Sequence, residues 1–361
     1  MRRRHVAGRA AAGALVVGSL ATMLGLSPAT PWAEGAAASR PFERAMVQRT
    51  EAEAAAVSVD AALAEPTTTT APLPPPTTTT APPPPTTTTT SPARFTLTPY
   101  RGLGAWLDVY DWTTTYARGA PALEPESMDL LGQQGVQTVF IQASKWDSPT
   151  DVLEIDRLLA FVQRAHQNGI AVVGWYLPTL EDPAWDLQRL VSIAALPIEG
   201  IAVDIEGRNV GDVAERNRRL IDLSAALRAA LPGEVIGAIP LEPVLMEDVN
   251  PNYWPGFPWA ELAPSYDVWL PMSYWTNRRD EWRDAYVYTV TNIDRLREHI
   301  GRPDAPIHAL GGIGDTTSTQ DLVGFRQAIA DRGAIGGSIY DFRTTQAPHW
   351  PELQPLRALR G

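Results

Sequence analysis

From about Phe95 onward, short apolar runs alternate with longer stretches of helical periodicity. The first run is Leu103 to Asp111, followed by a helix near Pro125–Gln134. Val136–Ala143 comes next, then an amphipathic helix from Asp151 to Asn168 that Gly169 terminates. The third run is Ile170–Leu177, with a helix from about Pro183 to Ala195. The fourth, Ile198–Glu206, precedes a long helix from Val210 to Leu231, which Pro232-Gly233 stops. Val235–Pro240 is the fifth and Asp267–Tyr274 the sixth, with a helix from about Asp280 to Ile300. Pro306–Gly311, a helix over Ser318–Asp331 and Ala334–Phe342 complete the series.

Eight strand–helix units in about 265 residues predict an α/β fold, a (β/α)8 TIM barrel over residues 95–361. No Gly-x-Gly-x-x-Gly or Walker-type loop follows the first strand, which disfavours a doubly wound nucleotide fold. Upstream, Arg2, Arg3, Arg4 and Arg9 lead into an apolar, uncharged stretch that Gly13, Gly18, Gly25 and Pro28 interrupt. That pattern predicts a signal peptide over residues 1–38, with no stable membrane span after its cleavage. Residues 39–94 read as disordered. Their Pro-Thr-Thr-Thr-Thr units favour extended, donor-poor backbone with no core to join, and so form a linker.

The fourth strand carries the most informative chemistry. Side chains alternate along a strand, so Ile201, Val203 and Ile205 share one face and Ala202, Asp204 and Glu206 the other. Two acids aimed the same way, roughly 6.5–7 Å apart at Cα, carry desolvation and like-charge penalties that stability alone would not select. Barrel chemistry sits at the carboxyl ends of the strands. There the chain offers Asp108 and Trp112 (first strand), Trp146 (second), Trp175 (third), Tyr274 and Trp275 (sixth), and Tyr340 and Asp341 (eighth). Carboxylates among Trp and Tyr suit a sugar: flat rings stack on pyranose faces, and acids handle glycosidic oxygen and hydroxyls. Trp112, Trp146, Trp175, Trp275, Tyr340 and Asp341 are therefore the predicted substrate-binding residues.

Charge and residue counts narrow the alternatives. The formal net charge is −11, and losing the four arginines of residues 1–33, which hold no acid, takes it to −15. Such a chain repels phosphate backbones, so nucleic acid is not a predicted partner. There is no cysteine, which excludes disulfides, thiolate nucleophiles and Cys-ligated zinc. The five histidines do not cluster at strand ends, so no metal site and no cofactor are predicted. The seventh strand ends Gly311-Gly312-Ile313-Gly314-Asp315, without the Glu that a two-Glu retaining barrel would place there. An Asp-x-Glu pair on one strand points instead to substrate-assisted hydrolysis, in which a 2-acetamido group attacks its own anomeric carbon.

Glu199-Gly200-Ile201-Ala202-Val203-Asp204-Ile205-Glu206 resembles the Asp-Gly-x-Asp-x-Asp-x-Glu strand-four motif of glycoside hydrolase family 18 chitinases. Met272-Ser273-Tyr274 resembles that family's strand-six Met-x-Tyr, and Gly336-Gly337-Ser338-Ile339-Tyr340 its strand-eight end. Leu107-Asp108-Val109 with Val203-Asp204-Ile205-Glu206 is similar to the corresponding segments of family 25 lysozymes. Ala202 replaces an inner Asp of the chitinase motif, Trp275 an Asp and Tyr340 a Trp. The resemblance implies that Glu206 is the general acid/base and that Asp204 orients the acetamido group. It also implies that Tyr274 hydrogen-bonds that group and that Asp108 assists at the floor. The expectation is a secreted or cell-wall-associated glycosidase acting on a polysaccharide, one containing N-acetylhexosamine. A non-catalytic carbohydrate-binding barrel and a magnesium-dependent lyase or phosphoesterase are the alternatives.

Overall fold

A computed structural model describes residues 94–361. The predicted signal peptide, and the linker up to residue 93, lie outside the described residues. The strands are β1 (Gly102–Leu107), β2 (Thr138–Gln142), β3 (Ala171–Tyr176), β4 (Gly200–Asp204), β5 (Ile236–Ile239), β6 (Val268–Trp269), β7 (His308–Ile313) and β8 (Gly336–Tyr340). All pair in parallel in the order β6-β5-β4-β3-β2-β1-β8-β7. Two parallel bridges, Trp269 to Ile307 and Met272 to Leu310, close β6 onto β7. The fold is a (β/α)8 barrel, as the alternating pattern predicts.

The main helices form the outer layer: α1 (Ser127–Gln133), α2 (Ile155–Gln167), α3 (Pro183–Ala194), α4 (Val213–Ala230), α5 (Ala285–His299) and α6 (Thr319–Asp331). Their starts carry local signals. Asp182 accepts the Trp185 N–H ahead of Pro183 in α3, Asp284 caps α5, and Ser318 with Asp321 makes a capping box on α6. Leu158, Phe161, Val162 and Ala165 give α2 one apolar stripe, each large side chain contributing about 1.5–3 kcal/mol on burial. Among the described residues no helix is long and apolar enough to cross a membrane.

The sixth strand is shorter than predicted because Pro271 has no N–H for the ladder. Hydrogen bonds continue past it irregularly, from Met272 N–H to Pro240 C=O at 3.2 Å and Ser273 N–H to Leu310 C=O at 2.6 Å. The first strand also stops early. The Asp108 carboxylate accepts the Tyr110 N–H at 2.7 Å, and Val109–Trp112 turns into a short helix where a strand was expected.

The barrel interior is filled unevenly. Tyr100 enters from the amino-terminal end, and its phenol donates to the Ile201 carbonyl at 2.6 Å. Space for it exists because Gly200 and Gly237 carry no Cβ: one on either residue would come within 2.9 or 3.0 Å of the Tyr100 side chain. Above it, Trp106 stacks on Phe140 with centroids 4.5 Å apart and meets Trp175 edge-on at 5.9 Å. A hydrogen-bond chain ties this layer together. Trp106 Nε1 donates to Ser338 Oγ at 2.7 Å, and Ser338 lies 2.9 Å from His308 Nε2. His308 Nδ1 donates to the Tyr100 carbonyl at 2.8 Å. Burial pushes the imidazole down to about 4, so His308 is neutral and its two nitrogens play opposite roles in the chain.

Candidate active site

Two groups of acids stand at the carboxyl ends of the strands, all buried except the half-buried Glu206. The first comprises Asp204 at the end of β4, Glu206 two residues on, and Glu242 beyond β5. Burial, and then the charge of Glu206, push the Asp204 carboxyl well above the carboxylate range, against a hydrogen bond from the Glu206 N–H. One Asp204 oxygen, Oδ1, is buried without a protein partner, as is the Trp175 indole N–H on the neighbouring strand. Burial, then the Glu242 charge, raise Glu206 to about 7, with Arg208 opposing. The Arg208 guanidinium lies 4.0 Å from the Tyr253 ring centroid. Glu242 itself accepts from the Tyr274 N–H at 3.2 Å and pairs with Arg278 at 3.0 Å.

The second group is Asp108, Asp111 and Asp341, where β1 and β8 meet. One carboxylate oxygen from each lies within 4.8 Å of the others. Tyr340 donates to Asp108 at 3.0 Å and leads into Asp341 through a cis peptide bond. Arg343 donates to Asp111 at 3.1 Å, while Thr344 N–H donates to Asp341 at 2.8 Å. Burial and the Asp108 charge raise Asp341 to about 7. Burial, then Asp108 and Asp341, push Asp111 well above its usual range. These are the described residues whose oxygens could surround a hard divalent cation, with Arg343 already competing for one of them.

Tyr274 stands between the two groups. Its ring meets Tyr340 edge-on at 6.1 Å. Burial, then the charges of Glu206, Asp204, Glu242 and Asp341, push its phenol well above the usual range, so it remains a hydrogen-bond donor. The structure thus brings Asp204, Glu206 and Tyr274 together. It sets Asp108 apart with Tyr340 and Asp341.

Two expected sugar-stacking residues are corrections. Trp112 is fully buried: the short helix after Asp108 turns it inward, where its N–H donates to the Gln142 carbonyl at 3.2 Å and its ring meets Phe161. Trp275 is also fully buried, against Phe325 of α6 and over Gly311 and Gly312, whose missing Cβ atoms leave room for the indole. Trp175 is buried on β3, where it pairs with Ala202 of β4, while Trp146 is 47% exposed on the rim. Glu242 is not among the residues that the sequence singles out. Its sole signal is its position two residues past a strand-ending proline. Arg208, Arg278 and Tyr253 carry no motif at all.

The Glu242 charge has a testable effect. Glu242→Gln keeps an oxygen for Tyr274 and Arg278 but removes the negative field that raises Glu206. The Glu206 pKa then falls, its acid form is lost at lower pH, and the alkaline limb of a pH–activity profile moves down by on the order of one unit. An unmoved limb would show that Glu242 does not act on Glu206.

No family model matches the chain, and no curated protein matches it. Among solved structures, a family GH18 chitinase of Cycas revoluta in complex with allosamidin superposes with a TM-score of 0.53 at 10% identity, over 72% of this chain and 100% of the other. The spore cortex-lytic enzyme SleL of Bacillus cereus gives 0.52 at 8% identity, over 70% and 73%. A β-galactosidase of the psychrophilic Marinomonas ef1 gives 0.52 at 9%, over 71% of this chain and 59% of its own length. These likenesses establish the barrel fold.

Proposed function

We propose that the chain is a glycoside hydrolase that cleaves an N-acetylhexosamine-containing polysaccharide with assistance from the substrate. The observation that carries this reading is the Asp204–Glu206 pair: a buried and a half-buried acid at one strand end, with Glu206 raised to about 7. At neutral pH such a group still holds a proton to give, as a general acid requires. The solved chitinase, cortex-lytic enzyme and β-galactosidase of like fold support the same class.

In the first step Glu206 gives its proton to the glycosidic oxygen. The C1–O bond breaks, with its electron pair going to that oxygen. The acetamido carbonyl oxygen of the same sugar forms a bond to C1, closing an oxazolinium ring. The unpartnered Asp204 oxygen suits the amide N–H, whose positive charge grows as the ring forms, and the Tyr274 hydroxyl suits the carbonyl oxygen. Water then attacks C1 and surrenders a proton to Glu206, and the ring C1–O bond opens to restore the acetamide. Two displacements at C1 retain the anomeric configuration.

The polymeric substrate and the Pro/Thr-rich segment together favour action outside the cell or in its wall. The decisive comparison is between chitin oligomers or peptidoglycan fragments and the same glycans stripped of their acetyl groups. Release of new reducing ends from the acetylated set alone is expected. Equal turnover of both sets would remove substrate assistance, and no turnover of either would remove the enzyme reading.

A further inference from the structure

We propose that Trp146 and Trp185 form a second, non-catalytic binding surface for a β-linked pyranose polymer, beside the cleft. The inference rests on the glycan reading above and concerns chains longer than the acid site can hold. Both indoles are 47% exposed, and no other tryptophan among the described residues is exposed. Trp146 follows β2 by four residues and Trp185 sits in the first turn of α3, just after β3. Strands β2, β3 and β4 are consecutive neighbours in the sheet, so the two rings continue along the rim from Asp204.

One buried cation holds both. Arg189, 1% exposed, donates to the carbonyls of Trp146 at 3.2 Å, Ser148 at 2.8 Å and Thr150 at 3.0 Å. Its guanidinium carbon also lies 5.5 Å from the Trp185 ring centroid. Lys145 sits 5.0 Å from the Trp146 ring and 4.7 Å from that of Tyr116, while pairing with Asp147 at 2.6 Å. The platform is therefore held in place before any ligand arrives, which lowers the ordering cost of binding.

The surroundings select the ligand. Exposed Asp147, Glu181, Asp182 and Gln188 flank the rings, so the surface alternates aromatic faces with hydrogen-bonding groups. A sugar chain presents the matching alternation of C–H faces and hydroxyls. A protein interface needs a larger continuous apolar patch than two separated indoles provide.

The test uses the full chain, with Trp146→Ala, Trp185→Ala and the double variant, on insoluble chitin and on isolated peptidoglycan sacculi. Retention on at least one polymer should weaken about fivefold per ring, as for the loss of an aromatic contact of roughly 1 kcal/mol. Turnover of short soluble oligosaccharides by Trp185→Ala, and the thermal midpoint of all three variants, should not change. Wild-type retention by the double variant on both polymers would overturn the proposal, as would no retention of the wild type on either. A change of oligomeric state in the double variant would also overturn it, by showing that the rings bind a second copy. Retention needs no turnover, so the surface can stand even where hydrolysis fails.

Discussion

Glu206→Gln is expected to lower kcat on an acetylated glycan by about 10²- to 10⁴-fold, the usual contribution of a general acid/base. The amide nearly matches the carboxyl in shape but cannot release a proton to the leaving oxygen. Its effect on folding should be small and of the opposite sign. Glu206 is half-buried beside Asp204 and in the field of Glu242, and a neutral side chain there relieves repulsion. Steady-state kinetics beside a thermal melt separates the two effects: activity should collapse while the melting midpoint holds or rises. Near-wild-type kcat would remove Glu206 from the chemistry. A collapse of both would mark it as structural.

The second large effect is on stability. Tyr100→Ala should destabilise the barrel by about 3–5 kcal/mol, the range for deleting a buried aromatic ring. Two of the residues facing the ring, Gly200 and Gly237, have no side chain to move into the void. Tyr100→Phe keeps the ring and loses only the bond to the Ile201 carbonyl, so it should cost about 0.5–1.5 kcal/mol. Denaturant midpoints of the two variants against wild type decide the matter. A loss below about 1 kcal/mol for the alanine variant would mean that the ring does not plug the barrel.

The repeating units were legible because each needs only a local pattern: alternation for a strand, a 3.6-residue stripe and a cap for a helix. The sequence predicts one strand through both acids, whereas β4 ends at Asp204 and Glu206 lies in the turn beyond it, where strand alternation no longer sets its direction. The errors arose where direction depends on a turn. Asp108 binds the backbone two residues ahead and starts a helical turn, which carries Trp112 into the core. Trp275 is drawn in by Gly311 and Gly312, more than thirty residues later in the chain. The Asp108–Asp111–Asp341 group joins two ends of the sequence and is invisible until β8 lies beside β1. Glu242 gained its role only from proximity to Glu206, which no spacing encodes.

Pro271 has a consequence beyond shortening a strand. Most neighbouring strands are laced by regular ladders, whereas β6 and β7 meet through isolated bridges. That seam is stitched irregularly, by bonds from Trp269 N–H to Pro306, Ser273 N–H to Leu310 and Leu310 N–H to Pro271. Tyr274 lies just beyond it and belongs to the candidate site. A side of the barrel without a continuous ladder thus carries Tyr274 to the candidate site, opposite in character to the stacked layer of Trp106, Phe140 and Trp175.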